Sequence, residues 1–543
     1  MHGLMFGGMH GLMFGGFHSS NYYDDDDSSN QKPYGLYIPD YYRSFGNHRI
    51  ATHLRKQGWD IECLDYMYMF SYDELVSYVD KRITKETVFI GVSVIFMLDY
   101  SNTETFRKLM KYIRENYSWV KFIVGGVKSY CITCIPDADY YIAGNGEYAI
   151  ESVLRYIMGR GEKPKTKIVS DTGVEIIDAI KDYPCYPKRD ANISYEERDF
   201  IKPYETLNVE LGRGCRFKCK YCSFPLLGLK GNMMRDEDSV YEELKENYEK
   251  WGVWNYYFTD DTVNDSKEKM KMLSNAVDKL SFQPQFNGYA RADLLIRHGK
   301  ETWDDMINAG FTSHSYGVES FNHESAKVMG KGMHPEEMKE GLLKIEEYFN
   351  AKSPYFYTGS MTMIAGLPFE TFESLDNTKE WLNKYWSNHT VAYLPLFLQP
   401  DNGGVIDEID ENITSNFMDY GYTFEENPII MNKNLSKAID KNSEARKFNK
   451  NKQFTLNYWV HPSGDYDWSD AIEWVEDFIY TRNILGYRPT YCFQGSTIVM
   501  KEHETPKNLK EYYKADSKRH TLDDRKIFGE FVNKYKQEKL TYR

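Results

Sequence analysis

Two successive series of short apolar strands, each alternating with amphipathic helices, constrain this chain more than any other feature of its sequence. In the first series strands fall at 35–39, 59–64, 88–96, 121–124 and 140–142, with helices at 47–58, 73–82, 103–117 and 148–158. In the second, strands fall at 207–211, 256–259, 285–290, 313–318, 360–364 and 391–398, with helices at 236–251, 267–280, 303–309 and 335–349. Strands that are apolar throughout and separated by helices build parallel sheets covered on both faces. Ligands of such sheets sit at the carboxyl ends of the strands. Six strand–helix units in roughly 200 residues fit a βα barrel, complete or partial, whose chemistry gathers at those same ends.

The expected fold class is therefore α/β: an N-terminal Rossmann-like parallel-sheet domain, a (β/α)6-type partial TIM barrel, and a smaller α+β C-terminal region. Residues 1–32 read as a disordered tail, because MHGLMFGG occurs at 1–8 and again at 9–16 and an acidic run follows at Asp24 to Asp27. Two copies of so short a unit cannot build a repeat fold. The first domain is expected at 33–162, a Pro-rich linker at 163–203, the barrel at 204–400, and an accessory region at 401–543. That last region carries one helical pattern, 468–482, through Ile472, Val475 and Ile479.

The chain has 543 residues and a net charge of −14, which makes duplex nucleic acid an unfavourable bulk partner. No apolar run reaches the roughly 18 residues that span a bilayer, and no basic segment precedes an apolar one at the N-terminus. A cytoplasmic protein without a membrane partner is expected. Eight cysteines are too few for a disulfide scaffold in a chain of this size. Cys63, Cys185 and Cys492 read as ordinary small buried residues. Cys131-Ile-Thr-Cys134 falls in a loop with no second cysteine pair near it in sequence.

Three cysteines stand apart. Cys215-Arg-Phe-Lys-Cys219-Lys-Tyr-Cys222 directly follows the first strand of the second series. Three thiolates at these spacings can converge on one inorganic centre. A cubane iron–sulfur cluster takes one ligand per iron, so three cysteines leave one iron open. Zinc would want a fourth cysteine or histidine at short spacing. Cys185 lies 30 residues upstream and His298 far downstream. Spacing alone leaves both metals open.

Cys-x3-Cys-x-aromatic-Cys resembles the signature of the radical S-adenosylmethionine (radical SAM) superfamily, with Tyr221 in the aromatic slot. Four further segments resemble that family in order: Tyr257-Phe-Thr-Asp260-Asp261, Ala290-Arg291-Ala-Asp293, Tyr316-Gly317-Val-Glu319-Ser320 with Met329-Gly-Lys331-Gly332, and Ile364-Ala-Gly366-Leu-Pro368-Phe-Glu370-Thr371. In the last, Phe369 replaces the second Gly of a Gly-x-Pro-Gly-Glu-Thr pattern. The resemblance covers about 205–400 and implies a 4Fe-4S cluster whose open iron chelates S-adenosylmethionine (SAM). Reductive cleavage of SAM then yields a 5′-deoxyadenosyl radical that takes a substrate hydrogen. It implies Cys215, Cys219 and Cys222 as cluster ligands, and Tyr221, Asp260, Arg291, Glu319 and Gly366 as cofactor contacts. For Asp260, Arg291 and Glu319 a salt-bridged barrel mouth is the competing reading. A low-potential electron donor such as flavodoxin or ferredoxin is implied as well.

The first series resembles the cobalamin-binding domain that precedes this barrel in many family members. Ser93-Val-Ile95, the pair Gly125-Gly126, and Gly144-Asn-Gly146-Glu147 carry the likeness, and they imply Ser93, Gly125 and Gly126 as cofactor contacts. One departure stands out. The Asp-x-His-x-x-Gly loop that can ligate cobalt from below reads Asp40-Tyr-Tyr42-Arg-Ser-Phe45-Gly46, with Tyr42 in the His slot. A repurposed Rossmann-like domain without cobalamin is the other reading. The expected function is radical SAM chemistry on a small-molecule or peptide substrate, with cobalamin-dependent methyl transfer as the specific form. The alternatives are a cobalamin-independent rearrangement, cyclisation or C–S bond formation, and a non-catalytic iron–sulfur or zinc protein.

Overall fold

The computed structural model describes residues 10–14, 43–93, 104–126, 135–168, 174–184, 191–222, 233–354, 357–387, 389–396, 398, 413, 416–424, 459–484 and 521–542. The first unit is a seven-stranded sheet. Its strands are β1 (His10–Phe14), β2 (Asp60–Leu64), β3 (Thr87–Ser93), β4 (Lys121–Gly126), β5 (Tyr140–Ala143), β6 (Lys167–Ile168) and β7 (Glu175–Asp178), in the order β2-β1-β3-β4-β5-β7-β6. Every pairing is parallel except β6 on β7.

Side chains along each strand alternate between two cores, as the two-residue period of a strand requires. Ile61, Phe89 and Ile123 join Ala51 and Leu54 of α1 (Phe45–Arg55). Ile90, Val92, Phe122 and Val124 face the other way, onto α2 (Tyr72–Arg82) and α3 (Glu104–Asn116). α3 presents Phe106, Leu109, Met110 and Ile113, a spacing of three and four that makes one helical stripe. α2 starts at a capping box between Ser71 and Glu74 and ends on Lys81 and Arg82, so both ends suit the helix dipole. α4 (Glu147–Ile157) packs Ile150, Val153 and Leu154 on the first of these faces.

The second unit is a six-stranded parallel sheet of β8 (Thr206–Val209), β11 (Asn255–Phe258), β12 (Gln285–Ala290), β13 (Ser313–Glu319), β14 (Thr358–Ala365) and β15 (Thr390–Pro395). Neighbours in the sheet follow chain order, and among the described residues no pairing closes β15 onto β8. This is the expected open βα barrel, with strands within two or three residues of the sequence reading. β9 (Gly212–Arg213) and β10 (Met233–Met234) form a short antiparallel ribbon beside it. Its helices are α5 (Glu237–Trp251), α6 (Lys267–Asp278), α7 (Ala292–His298), α8 (Lys300–Ala309), α9 (His323–Val328), α10 (Pro335–Lys352) and α11 (Phe372–Tyr385). The C-terminal part adds the antiparallel pair β16 (Thr423–Phe424) and β17 (Trp459–Val460), then α12 (Trp468–Ile484) and α13 (Thr521–Thr541).

Three expected boundaries differ. Residues 10–14, read as tail, form a central strand of the first sheet with Met13 buried. The Leu-Met-Phe core of the repeat unit is long enough to pair on both sides, which a reading of low complexity overlooks. The strand expected at 35–39 lies outside the described residues. Residues 163–203, read as linker, supply β6 and β7 and bury Ile193, Tyr195 and Asp199. α13, assigned to the accessory region, packs Phe531, Val532 and Tyr535 into the first unit. α12 packs on the barrel through Val475 and Phe478. Cys131, Cys134, Cys185 and Cys492 lie outside the described residues.

Candidate functional site

The three-cysteine loop leaves β9 through Gly214, whose φ of 91° sits in the left-handed region that glycine tolerates. Backbone contacts pin it to the barrel. Lys220 N–H donates to Met329 O at 3.2 Å, Cys222 N–H to Cys219 O at 3.1 Å, and Ile413 N–H to Lys220 O at 2.7 Å. Arg216 donates to Asp265 O. At Gly330, with φ 81°, a Cβ would lie 3.9 Å from Cys219 Cα, so the turn after α9 and the cysteine loop approach backbone to backbone.

All three thiols are half-buried and free of disulfides. Among the described residues their sulfurs do not all lie within 4.8 Å of one another.

Arg291, at the end of β12, donates from Nη1 to Cys219 Sγ at 3.2 Å. Its guanidinium lies 4.0 Å over the Phe217 ring. Asp293 holds the other edge, at 3.0 Å to Nε and 2.8 Å to Nη2. Glu319 ends β13 with a φ of 72°, a strained conformation for a residue with a Cβ and a mark of functional backbone. Its Oε1 accepts from Tyr221 Oη at 2.9 Å and faces Lys331 Nζ at 3.6 Å. Tyr221, Arg291, Glu319 and the cysteine loop are thus brought together.

Asp260 is used differently from expectation. Its Oδ2 accepts Leu211 N–H at 2.7 Å and its Oδ1 pairs with Lys269 at 2.6 Å, so both oxygens are engaged within the fold. Its neighbour Asp261 is the partly exposed carboxyl. Burial, with Asp260 and Glu210 nearby, raises it to about 7. Gly366, with φ 96°, packs under the Trp459 ring, and its carbonyl accepts from Tyr422 Oη at 2.6 Å. Phe217, Asp261 and Lys331 were not singled out from sequence. Lys331 sits inside a segment that carried the resemblance, which was the available signal.

In the first sheet Ser93 and Gly125 are register partners at the carboxyl ends of β3 and β4. Gly126 follows, and its carbonyl accepts Gly144 N–H at 2.9 Å. Three of the residues expected at a cofactor therefore share one edge. Glu147 bridges the two units. Its Oε1 accepts from Arg213 Nη2 at 3.0 Å and lies 3.5 Å from Arg49 Nε. Burial pushes this carboxyl up, but Arg213 and Arg49 outweigh it and hold it at about 2.

Residues 209–382 match the Radical SAM superfamily model. This segment is a radical SAM domain, and enzymes with this domain work with a 4Fe-4S cluster and SAM. An uncharacterized methyltransferase of Pyrococcus horikoshii is 22% identical over 354 residues, covering 62% of this chain and 72% of that relative. Among solved structures, the radical SAM methyltransferase TsrM from Kitasatospora setae, with tryptophan and a SAM analogue bound, aligns with a TM-score of 0.59 at 13% identity. It covers 97% of this chain and 99% of that one. The cobalamin-dependent SAM radical enzyme OxsB, with aqua-cobalamin bound, aligns at 0.54 and 14% identity, covering 98% and 72%. At these identities the likeness is one of fold. No helix among the described residues is long and apolar enough to cross a membrane.

Proposed function

We propose that this radical SAM enzyme is a cobalamin-dependent methyltransferase acting on a small-molecule or peptide substrate. The observation that carries the reading is the coupling of two carboxyl-end sites. The Ser93–Gly125–Gly126 edge of the first sheet and the cysteine loop of the second belong to units joined through the buried Glu147–Arg213 pair. The two-unit fold shared with TsrM and OxsB supports it. Cys215, Cys219 and Cys222 hold the cluster in this reading, and Tyr221, Arg291 and Glu319 face SAM. Asp261 takes the place expected of Asp260, and Gly366 serves packing. When bound, the cluster supplies the electron that cleaves SAM, and cobalamin serves as methyl carrier. The chain's own residues orient and shield: Arg291 fixes the Cys219 sulfur, Lys331 and Tyr221 fix the Glu319 carboxylate, and the small Gly125–Gly126 edge admits a bulky ligand close to backbone. A low-potential flavodoxin or ferredoxin is the proposed donor, and the cytoplasm the proposed compartment.

The test is anaerobic reconstitution with iron, sulfide and hydroxocobalamin, followed by desalting and metal analysis. About four irons per chain with stoichiometric cobalt, and label leaving methyl-labelled SAM for an acceptor, are expected. Iron without cobalt sinks the methyltransferase reading and leaves a cobalamin-independent radical reaction. Cys219→Ala is expected to lose both iron and SAM cleavage.

A further inference from the structure

We propose that His48, Cys63 and Asp199 form a second metal site, separate from the three-cysteine loop, which binds one divalent ion, zinc by its ligand chemistry. One ligand atom from each residue lies within 4.8 Å of the other two. All three residues are closed off from solvent, at 0%, 1% and 0% exposure. They come from three elements that meet where the first unit joins the barrel: α1, β2, and the short 3-10 turn Glu197–Asp199 that precedes β8.

The surroundings aim the donors inward. His48 Nε2 lies 2.9 Å from Asp65 Oδ2, the carboxylate–imidazole pairing that fixes ring orientation behind metal-bound histidines. That leaves Nδ1 as the ligand nitrogen. Asp199 uses Oδ2 to accept from Glu196 N–H at 2.8 Å and Arg55 Nη1 at 3.3 Å. That leaves Oδ1. His48 Nδ1 faces the Cys63 thiol, and Asp199 Oδ1 reaches no hydrogen-bond partner among the described residues. A buried acceptor left unpaired is costly, and a metal bond would satisfy it. Thiolate, imidazole and carboxylate together are a zinc donor set, and three protein ligands leave the fourth tetrahedral position to water. Charge does not oppose the ion. A divalent cation on a neutral imidazole, a thiolate and a carboxylate carries the same net charge as an imidazolium, a thiol and a carboxylate alone. The ion pairs of Arg43 with Asp65 and Glu205, and of Arg55 with Asp199, can therefore stay in place.

The site clamps α1 and β2 to the segment entering the barrel. The full-length, iron-loaded protein is incubated with zinc sulfate and desalted, and zinc and iron are counted by mass spectrometry of the elements. One zinc per chain is expected beside the cluster iron. His48→Gln and Cys63→Ser are each expected to lower zinc about tenfold with iron unchanged. Cys215→Ala/Cys219→Ala/Cys222→Ala is expected to lose iron and keep zinc. Absence of zinc from the wild type, or zinc that disappears with the three-cysteine variant, overturns the site. Should Cys63→Ser fail to fold by circular dichroism, His48→Gln decides on the same readout.

Discussion

Arg291 and Cys219 meet across 72 residues of sequence, with guanidinium Nη1 at 3.2 Å from the sulfur. The contact is a charge-assisted donor to a sulfur proposed as a cluster ligand, and Asp293 keeps the guanidinium from swinging away. A cation and an N–H at a ligand sulfur favour the more negative, reduced cluster and so raise its potential. Arg291→Gln is expected to keep its iron and to lower the cluster midpoint by about 60 mV, a tenfold change for one electron. Potentiometric titration followed by electron paramagnetic resonance reads this directly. An unchanged midpoint would show that the Arg291–Cys219 contact does not tune the cluster.

A second expectation concerns Phe369, which stands where the family pattern has glycine. The structure gives the reason that pattern prefers glycine. Phe369 has a φ of 68°, and its side chain is 58% exposed, so little burial repays the strain. A left-handed residue with a Cβ costs about 1–2 kcal/mol, against which glycine loses somewhat more backbone entropy on folding. Phe369→Gly is expected to stabilise the chain by about 1 kcal/mol. The urea midpoint should rise at unchanged slope, and a fall would mean that the ring packs on something essential.

What could be read from sequence follows from range. The cysteine loop and the strand ends are local patterns, and the six barrel strands recur at regular intervals between amphipathic helices, which needs no partner to be recognised. The partnership of Glu147 with Arg213 links two units and has no local signature. Nor does the inward turn of Asp260, which depends on Lys269 rising from α6 beneath it. Residues 10–14 were hidden for another reason. Two flanking glycines on either side mask a strand whose pairing is specified only by the neighbours β2 and β3. Cys63 illustrates the same limit, since its two companions lie 15 and 136 positions away.

Glu147 gives an acid-dependent expectation. Its carboxyl is held at about 2 in the fold against 4.5 as the ordinary value. Between those values the unfolded chain binds more protons than the native one, so stability falls as pH drops through that window. Glu147→Gln lacks this dependence and leaves Arg213 with a weaker partner. At neutral pH it is expected to cost on the order of 3 kcal/mol. The gap to wild type should narrow by roughly 1 kcal/mol by about pH 4. Urea unfolding at both pH values checks this, and a gap independent of pH would count against the pairing.

Gly366 offers a steric expectation. At φ 96° its backbone favours glycine, and a Cβ would overlap the Trp459 ring of β17. The N–H of the same residue donates to Glu370 Oε2 at 3.0 Å, and its carbonyl accepts from Tyr422 at 2.6 Å, so the peptide cannot shift to make room. Overpacking of this kind costs about 1–3 kcal/mol, and the left-handed conformation about 1–2 more. Gly366→Ala is expected to lose about 3 kcal/mol. In a Trp459→Ala background the steric part vanishes and only the backbone part stays, so the same substitution should cost about 2 kcal/mol less. A double-mutant cycle on urea midpoints separates the two. Equal costs in both backgrounds would assign the whole effect to φ and remove Trp459 as the reason that glycine occupies this position.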